Sequence, residues 1–400
     1  MTEQAMPSPM AVNANAADWL SGARRLVVKV GSSTVVDGRG QVRADLLDPL
    51  CSSLLDWVEG APRRGAVLVS SGAIALGWPR LGLKRRPSTL PEKQAAAAVG
   101  QGLLMAYYEQ VMARRGRPAA QVLLTADDLR DRGRFNHAHR TMEALLARGA
   151  VPVVNENDTV AVDEIKVGDN DRLAAMVAVL IQADLLILLS DVDGLFTADP
   201  RRDPSARLIP VVAHPGDPSL AVSVGEPGPM GTGGMRSKVE AARMAAVNGI
   251  PTLIARAAPD VLQRVAAGEP CGTLFLPSPQ GLRGKKRWLA FYPAEAGTVV
   301  IDAGAAQAIA QRGRSLLASG VVDVVGEFRA GSVVRLVTQG GQEVGRGIVG
   351  FGAEELRRIK GRRSHELPGL LGHARTSWEV VHRDNLVLTA AREPAREEGA

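Results

Sequence analysis

Six short aliphatic runs, alternating with helix-length segments, constrain this chain more than any other feature of it. They are Leu26 to Val30, Ala66 to Val69, Ala120 to Leu124, Val151 to Val154, Leu185 to Leu189 and Pro251 to Ile254. Several are continuous in Val and Leu, the pattern of strands covered on both faces. Between them lie Glu92 to Arg114, Phe135 to Ala147 and Gly234 to Asn248. Gly116, Gly149 and Gly249 follow just beyond, where helix C-caps are expected. The alternation predicts an α/β fold, an αβα sandwich around a mostly parallel sheet. Ligands of such sheets bind at the carboxyl ends of the strands.

The 400 residues exceed one ordinary domain. Past Pro277 to Gly284 the pattern changes to strand-like pieces, Thr298 to Ile301, Val321 to Val325, Ser332 to Val337 and Gly345 to Val349, around one helical stretch, Gly304 to Gln311. The expected division is an α/β domain over 24–278, a linker over 279–295 and a small β-rich domain over 296–376. Residues 1–23 and 377–400 read as loose tails. From Gly281 to Ala400 the chain carries 18 Lys/Arg against 13 Asp/Glu, most of its formal charge of +6, which marks this block as distinct.

Cys51 and Cys271, the only two cysteines, argue against a disulfide framework or a zinc site and for a reducing compartment. Leu173 to Leu189 is the nearest approach to a membrane span, but Gln182 and Asp184 interrupt it. It reads instead as a buried helix, Arg172 to Ile181, feeding a buried strand. The first 20 or so residues lack the apolar core of a secretory signal, so a cytoplasmic protein without membrane association is expected. His137 and His139 are two apart, do not share a helix face, and have no evident third ligand, so no metal site is expected there.

The polar residues cluster where the strands end. Val151 to Val154 empties into Asn155-Glu156-Asn157-Asp158, and Gly168-Asp169-Asn170-Asp171 follows. Such carboxylates and amides can line a cleft for an amine, a metal or a phosphoryl group; they are also what an acidic surface turn contains. There is no Walker A pattern, and no Gly-x-Gly-x-x-Gly follows a strand. Two other glycine-rich segments could cradle phosphate. Lys29-Val30-Gly31-Ser32-Ser33 ends a strand in a small-residue turn, and Gly231-Thr232-Gly233-Gly234-Met235-Arg236-Ser237-Lys238 opens a helix. Ser70-Ser71-Gly72-Ala73-Ile74 and Ser190-Asp191-Val192-Asp193-Gly194 also follow strands; an N-cap serine and an Asp-Gly turn are their plainer explanations.

Taken in order, these segments resemble the amino acid kinase family. Asn-Glu-Asn-Asp paired with Lys-Val-Gly-Asp-Asn-Asp resembles the branch that phosphorylates the side-chain carboxylate of free L-glutamate, the first step of proline synthesis. The block from about Ala296 to Arg375 resembles a PUA domain. The resemblance spans roughly residues 24–385.

What it implies is an ATP-dependent kinase making an acyl phosphate, with Mg²⁺ brought in on ATP. Lys29 and Lys238 would bear on the transferred phosphoryl group, and Asp171 would hold both lysines. Asp158 would pair with the ammonium of glutamate, and Asn170 and Ser71 with carboxylate oxygens. Lys29, Gly31, Ser32, Ser190, Asp191, Thr232, Gly233, Gly234, Met235, Arg236, Ser237 and Lys238 match the family's nucleotide-binding segments. A carboxylate nucleophile is already ionised at neutral pH, so no general base is required. The family also implies a homo-oligomer and feedback inhibition by proline. Aspartate or N-acetylglutamate as acceptor, or RNA binding through the PUA-like domain, stand as alternatives. The densest basic run there is Arg357, Arg358, Lys360, Arg362 and Arg363.

Overall fold

The six aliphatic runs form six parallel strands in the structure, a computed structural model that describes residues 9–161, 170–200, 203–213, 234–278, 296–371 and 378–388. The chain divides into two units, Met1–Leu282 and Arg283–Ala400. The first contains β1 (Arg25–Lys29), β2 (Gly65–Val69), β3 (Ala119–Leu124), β4 (Val151–Glu156), β5 (Leu185–Ser190), β6 (Val211–Val212), β7 (Thr252–Arg256) and β8 (Thr273–Phe275). They form one sheet in the order β3-β4-β2-β1-β5-β7-β8-β6. The pairs from β3 to β7 are parallel. β8 runs antiparallel to β7, a reversal that the sequence did not announce.

The helices of this unit are α1 (Pro9–Gly22), α2 (Ser32–Val35), α3 (Ala44–Glu59), α4 (Ala73–Arg80), α5 (Leu90–Ala113), α6 (Ala126–Arg130), α7 (Arg132–Ala147), α8 (Asn170–Leu180), α9 (Met235–Val247) and α10 (Val261–Ala266). The period of two along each strand decides which layer a side chain meets. Leu26 and Val28 of β1, with Val30 just past it, enter the core shared with Leu47, Leu54 and Leu55 of α3 and Leu104 and Met112 of α5. Val27 and Lys29 therefore face the opposite layer, where α8 packs on β1. On β4, Val151 and Val153 enter the α3/α5 core, which puts Asn155 on that same side.

Two expected boundaries move. Residues 1–23 are not all loose: α1 buries Ala16 and Leu20, and Trp57 Nε1 donates to the Leu20 carbonyl at 3.0 Å. The helix-then-strand reading of Leu173 to Leu189 holds, as α8 followed by β5, and among the described residues no helix is long and apolar enough to cross a membrane. His139 Nδ1 lies 2.8 Å from the Leu180 carbonyl, tying α7 to the end of α8, while His137 is exposed. The glycine-rich loop at 214–233 and the linker at 279–295 lie outside the described residues.

The second unit is a six-stranded sheet of β9 (Gly297–Ile301), β10 (Leu316–Leu317), β11 (Val321–Val325), β12 (Val333–Thr338), β13 (Glu343–Val349) and β14 (Glu379–Leu388), ordered β10-β14-β13-β12-β9-β11. Helices α11 (Ala303–Arg312), α12 (Ala353–Ile359) and α13 (Leu367–Leu371) accompany it. β14 corrects the expected tail at 377–400, because it pairs with both β13 and β10 and buries Val380 and Val381.

Candidate active site

Lys29 is the last residue of β1 and points to the α8 layer. There its Nζ lies 2.5 Å from Asp171 Oδ1. Lys238, one turn into α9, places Nζ 2.9 Å from Asp171 Oδ2. Asp171 is fully buried, and Lys29 and Lys238 are 3% and 6% exposed. Both ammonium groups bear on this one carboxylate in a place where water screens charge poorly. A Cβ built on Gly31 would stand 3.8 Å from Lys29 Nζ, so the ammonium lies over the Gly31-Ser32 turn. Ser237 Oγ adds a contact of 3.1 Å to Asp171 Oδ2.

Asn170 precedes Asp171 in the chain and faces the other way. Its Nδ2 donates to the Ser70 carbonyl at 2.8 Å, Ser71 Oγ at 2.7 Å and Asn155 Oδ1 at 2.9 Å. Asn155, only 2% exposed, donates in turn to Gln101 Oε1 on α5 at 2.8 Å. Ser70 Oγ is hydrogen-bonded to the buried Tyr108 hydroxyl at 2.9 Å, which fixes the end of β2 against α5. Gly72 follows with φ +103, a left-handed conformation that suits glycine and turns the chain into α4. The expected donation from Asn170 to a substrate carboxylate does not match this geometry, since Nδ2 is already engaged and the free end is Oδ1.

A cavity of about 350 Å³ opens beside these amides. Asp158, Asn157 and Glu156 from the end of β4 line it with Gln101, Ala97 and Ala98 of α5. Two carboxylates thus face the cavity together with amides and methyl groups.

The β5 end is less enclosed. Ser190 Oγ lies 3.3 Å from Asp191 Oδ1, and Asp193 pairs with Arg256 of β7 at 2.6 Å. The hydrogen bond and charge of Arg256 hold the Asp193 carboxyl below its usual range. Arg236 points away from the cluster and pairs with Glu240 at 3.1 Å, both well exposed. Thr232 and Gly233 lie outside the described residues. Gly234 is the N-cap of α9, and Met235 opens that helix. The structure therefore gathers Lys29, Asp171, Ser237 and Lys238 into one cluster and Ser71 and Asn170 into its neighbour, and leaves Arg236 outside both. Sequence reasoning missed Gln101 altogether. An amide set between Gly100 and Gly102 in an Ala-rich helix was the available signal.

A parallel αβα sheet with basic and amino-acid-sized polar clusters side by side at its carboxyl edge defines a phosphotransferase class, and the comparisons agree. The chain belongs to the amino acid kinase family, whose sequence profile matches residues 24–256; the PUA domain profile matches 297–371. Within the family it is similar to the glutamate 5-kinase of Moorella thermoacetica, 48% identical over 370 residues, covering 92% of this chain and 97% of that one. The glutamate 5-kinase of Thermus thermophilus is 48% identical over 367 residues, with coverages of 92% and 97%. Among solved structures, the UMP kinase of Bacillus anthracis aligns with a TM-score of 0.43 at 16% identity, covering 64% of this chain and 96% of that one.

Proposed function

We infer that this protein is a glutamate 5-kinase, transferring the γ-phosphoryl group of ATP to the side-chain carboxylate of L-glutamate to give L-glutamyl 5-phosphate, the first step of proline synthesis. The observation that carries the reading is the adjacency of Asn170 and Asp171. One belongs to an amino-acid pocket and the other to a buried pair of lysines.

The difficulty of the reaction is charge. A carboxylate must approach a polyphosphate, and both are anions. Lys29 and Lys238 offset that repulsion and stabilise charge on the transferring group, while Asp171 limits their mutual repulsion and fixes their aim. ATP enters as its magnesium complex, so the cation is part of the substrate. Gly31, Ser32, Ser190, Asp191 and the start of α9 are assigned to the nucleotide. Asp158 is assigned to the α-ammonium, which rejects N-acetylglutamate because acetylation would leave that carboxylate facing a neutral amide. The test is turnover of ATP with L-glutamate, L-aspartate or N-acetylglutamate in the presence of hydroxylamine, which traps an acyl phosphate as a hydroxamate. Hydroxamate from glutamate alone is expected; a preference for another acceptor defeats the assignment.

The remaining assignments follow the family. The protein is read as cytoplasmic, as a homo-oligomer, and as inhibited by proline competing near the glutamate site. Glutamate turnover unchanged by millimolar proline rejects the last of these. The PUA domain is read as a regulatory or structural appendage rather than an RNA reader. In its basic run Arg357 pairs with Glu327 and Lys360 with Asp323, each at 2.7 Å, and Arg358 donates to the Leu370 carbonyl. Filter binding across a salt titration tests this, since real phosphate contacts give a steep salt slope.

A further inference from the structure

The chain of amides beside the cavity has a direction. The Ser70 carbonyl can only accept, and it accepts from Asn170 Nδ2. The backbone N–H of Glu156 can only donate, and it donates to Asn155 Oδ1 at 2.9 Å. These two backbone groups fix which end of each amide is oxygen and which is nitrogen. Asn170 Nδ2 donates to Asn155 Oδ1, so Asn155 presents Nδ2 to Gln101, and Gln101 must accept through Oε1. Two buried atoms are left over at the ends, Gln101 Nε2 and Asn170 Oδ1, and among the described residues neither has a hydrogen-bond partner. Buried polar atoms are nearly always paired in native proteins, so orphans of opposite polarity call for an explanation. Gln101 is 8% exposed and lines the same cavity as Asp158.

We propose that Gln101 is a substrate-binding residue whose Nε2–H donates to the α-carboxylate of the acceptor amino acid. This rests on the reading of the acceptor as a free α-amino acid. A carboxamide nitrogen cannot accept, so the matching group is an acceptor, and the acceptors that a free dicarboxylic amino acid offers are its carboxylates. It is the α-carboxylate rather than the one that reacts, because Gln101 is held against Asn155 of β4, two strands from Lys29 on β1. Neighbouring strands lie about 4.8 Å apart, so the two groups are separated by roughly 10 Å across the sheet. The side chain of the amino acid spans that gap with its reactive carboxylate towards the lysines. Gln101 is also rigidly seated. A Cβ on the preceding Gly100 would stand 1.8 Å from the Ala73 carbonyl oxygen, so α5 is pressed onto the start of α4 directly after Ser71.

The experiment compares L-glutamate with L-isoglutamine, which keeps the ammonium and the side-chain carboxylate but replaces the α-carboxylate by an amide. In the unaltered enzyme kcat/KM should favour glutamate. In Gln101→Leu the KM for glutamate should rise about 10- to 100-fold, the scale of a lost hydrogen bond to a charged group, with KM for ATP held and the preference over isoglutamine shrinking in proportion. Gln101→Glu keeps the Oε1 acceptor for Asn155 and should reverse the preference, because its carboxylate repels the α-carboxylate and accepts from the amide. A purely structural role through Asn155 would lower kcat for both acceptors alike. Equal losses on both acceptors, or an unreversed preference in Gln101→Glu, overturn the proposal while leaving the kinase reading intact. Absence of glutamate turnover in the unaltered enzyme removes both.

Discussion

Asn170 and Asp171 are consecutive residues at the start of α8, yet their side chains bind opposite halves of the site. Asn170 reaches Ser71 and Asn155, whereas Asp171 reaches Lys29 and Lys238. Consecutive Cα atoms are about 3.8 Å apart across a trans peptide, so the amide cluster and the lysine pair cannot drift apart without unwinding the helix.

Removing either lysine should therefore damage chemistry more than binding. Lys29→Ala and Lys238→Ala are expected to lower kcat about 10²- to 10³-fold, the scale for losing one preorganised donor, with the KM for glutamate changing little. Steady-state kinetics with hydroxamate detection measures both. Near-normal kcat in one variant would remove that lysine from the mechanism.

Asp171→Asn should cost stability as well as activity. It leaves two buried ammonium groups without their carboxylate, and breaking a buried ion pair on one side typically costs about 3–5 kcal/mol. Urea unfolding should show a lower midpoint at an unchanged slope. An unaltered midpoint would mean that water or another group already neutralises the lysines.

The contact of α4 with α5 should tolerate no added methyl group. A Cβ on Gly77 would stand 1.8 Å from the Ala96 carbonyl oxygen, as one on Gly100 would from that of Ala73. Both obstacles are helix backbone and cannot rotate aside. Gly77→Ala is expected to destabilise by at least the roughly 1–3 kcal/mol of ordinary overpacking, and to raise the KM for glutamate by shifting Gln101. Thermal unfolding and KM measured together test the linkage; a stable variant with normal KM would refute it.

Cys51 gives a pH prediction of definite sign. Burial pushes its thiol from about 9 up to about 12, with the nearby Asp48 carboxylate adding to the shift. Below pH 9 the thiol is neutral in both states and contributes no pH dependence. Above it the unfolded chain forms the thiolate while the folded protein does not, so stability drains away as pH rises from 9 towards 12. At pH 10 the loss should be about 1.4 kcal/mol, the value of one pK unit. Urea midpoints of the unaltered protein and Cys51→Ala at pH 8 and pH 10 isolate this from other groups; a gap that does not change with pH contradicts it.

The strands were legible wherever both faces are buried. β5 is buried along its whole length and reads as an uninterrupted aliphatic run. β6 and β8 have two and three residues, too few to show any period. β14 escaped notice for another reason. Its His382-Arg383-Asp384-Asn385 segment interrupts the apolar pattern, and the pairing with β13 shifts register on either side of it. The segment of α1 lacks a continuous apolar run and so reads as a loose tail, yet Trp57 Nε1 donates to its Leu20 carbonyl and holds it. At the site, Lys29, Asp171 and Lys238 were nameable from short motifs. Arg236 shares the motif of Lys238, but the helix turns it to solvent, where it meets Glu240.

Local residue types thus fixed the strands, the polar turns that end them and the chemistry those turns could perform. Which side chains share a cavity was decided only by the folded chain. Strand order differs from chain order, so β4, β2 and β1 become neighbours, and the period of two then sends Lys29 to one layer and Asn155 to the other. Gln101 joined the site because two glycines let α5 lie against α4, a contact between helix backbones that no spacing along the sequence encodes.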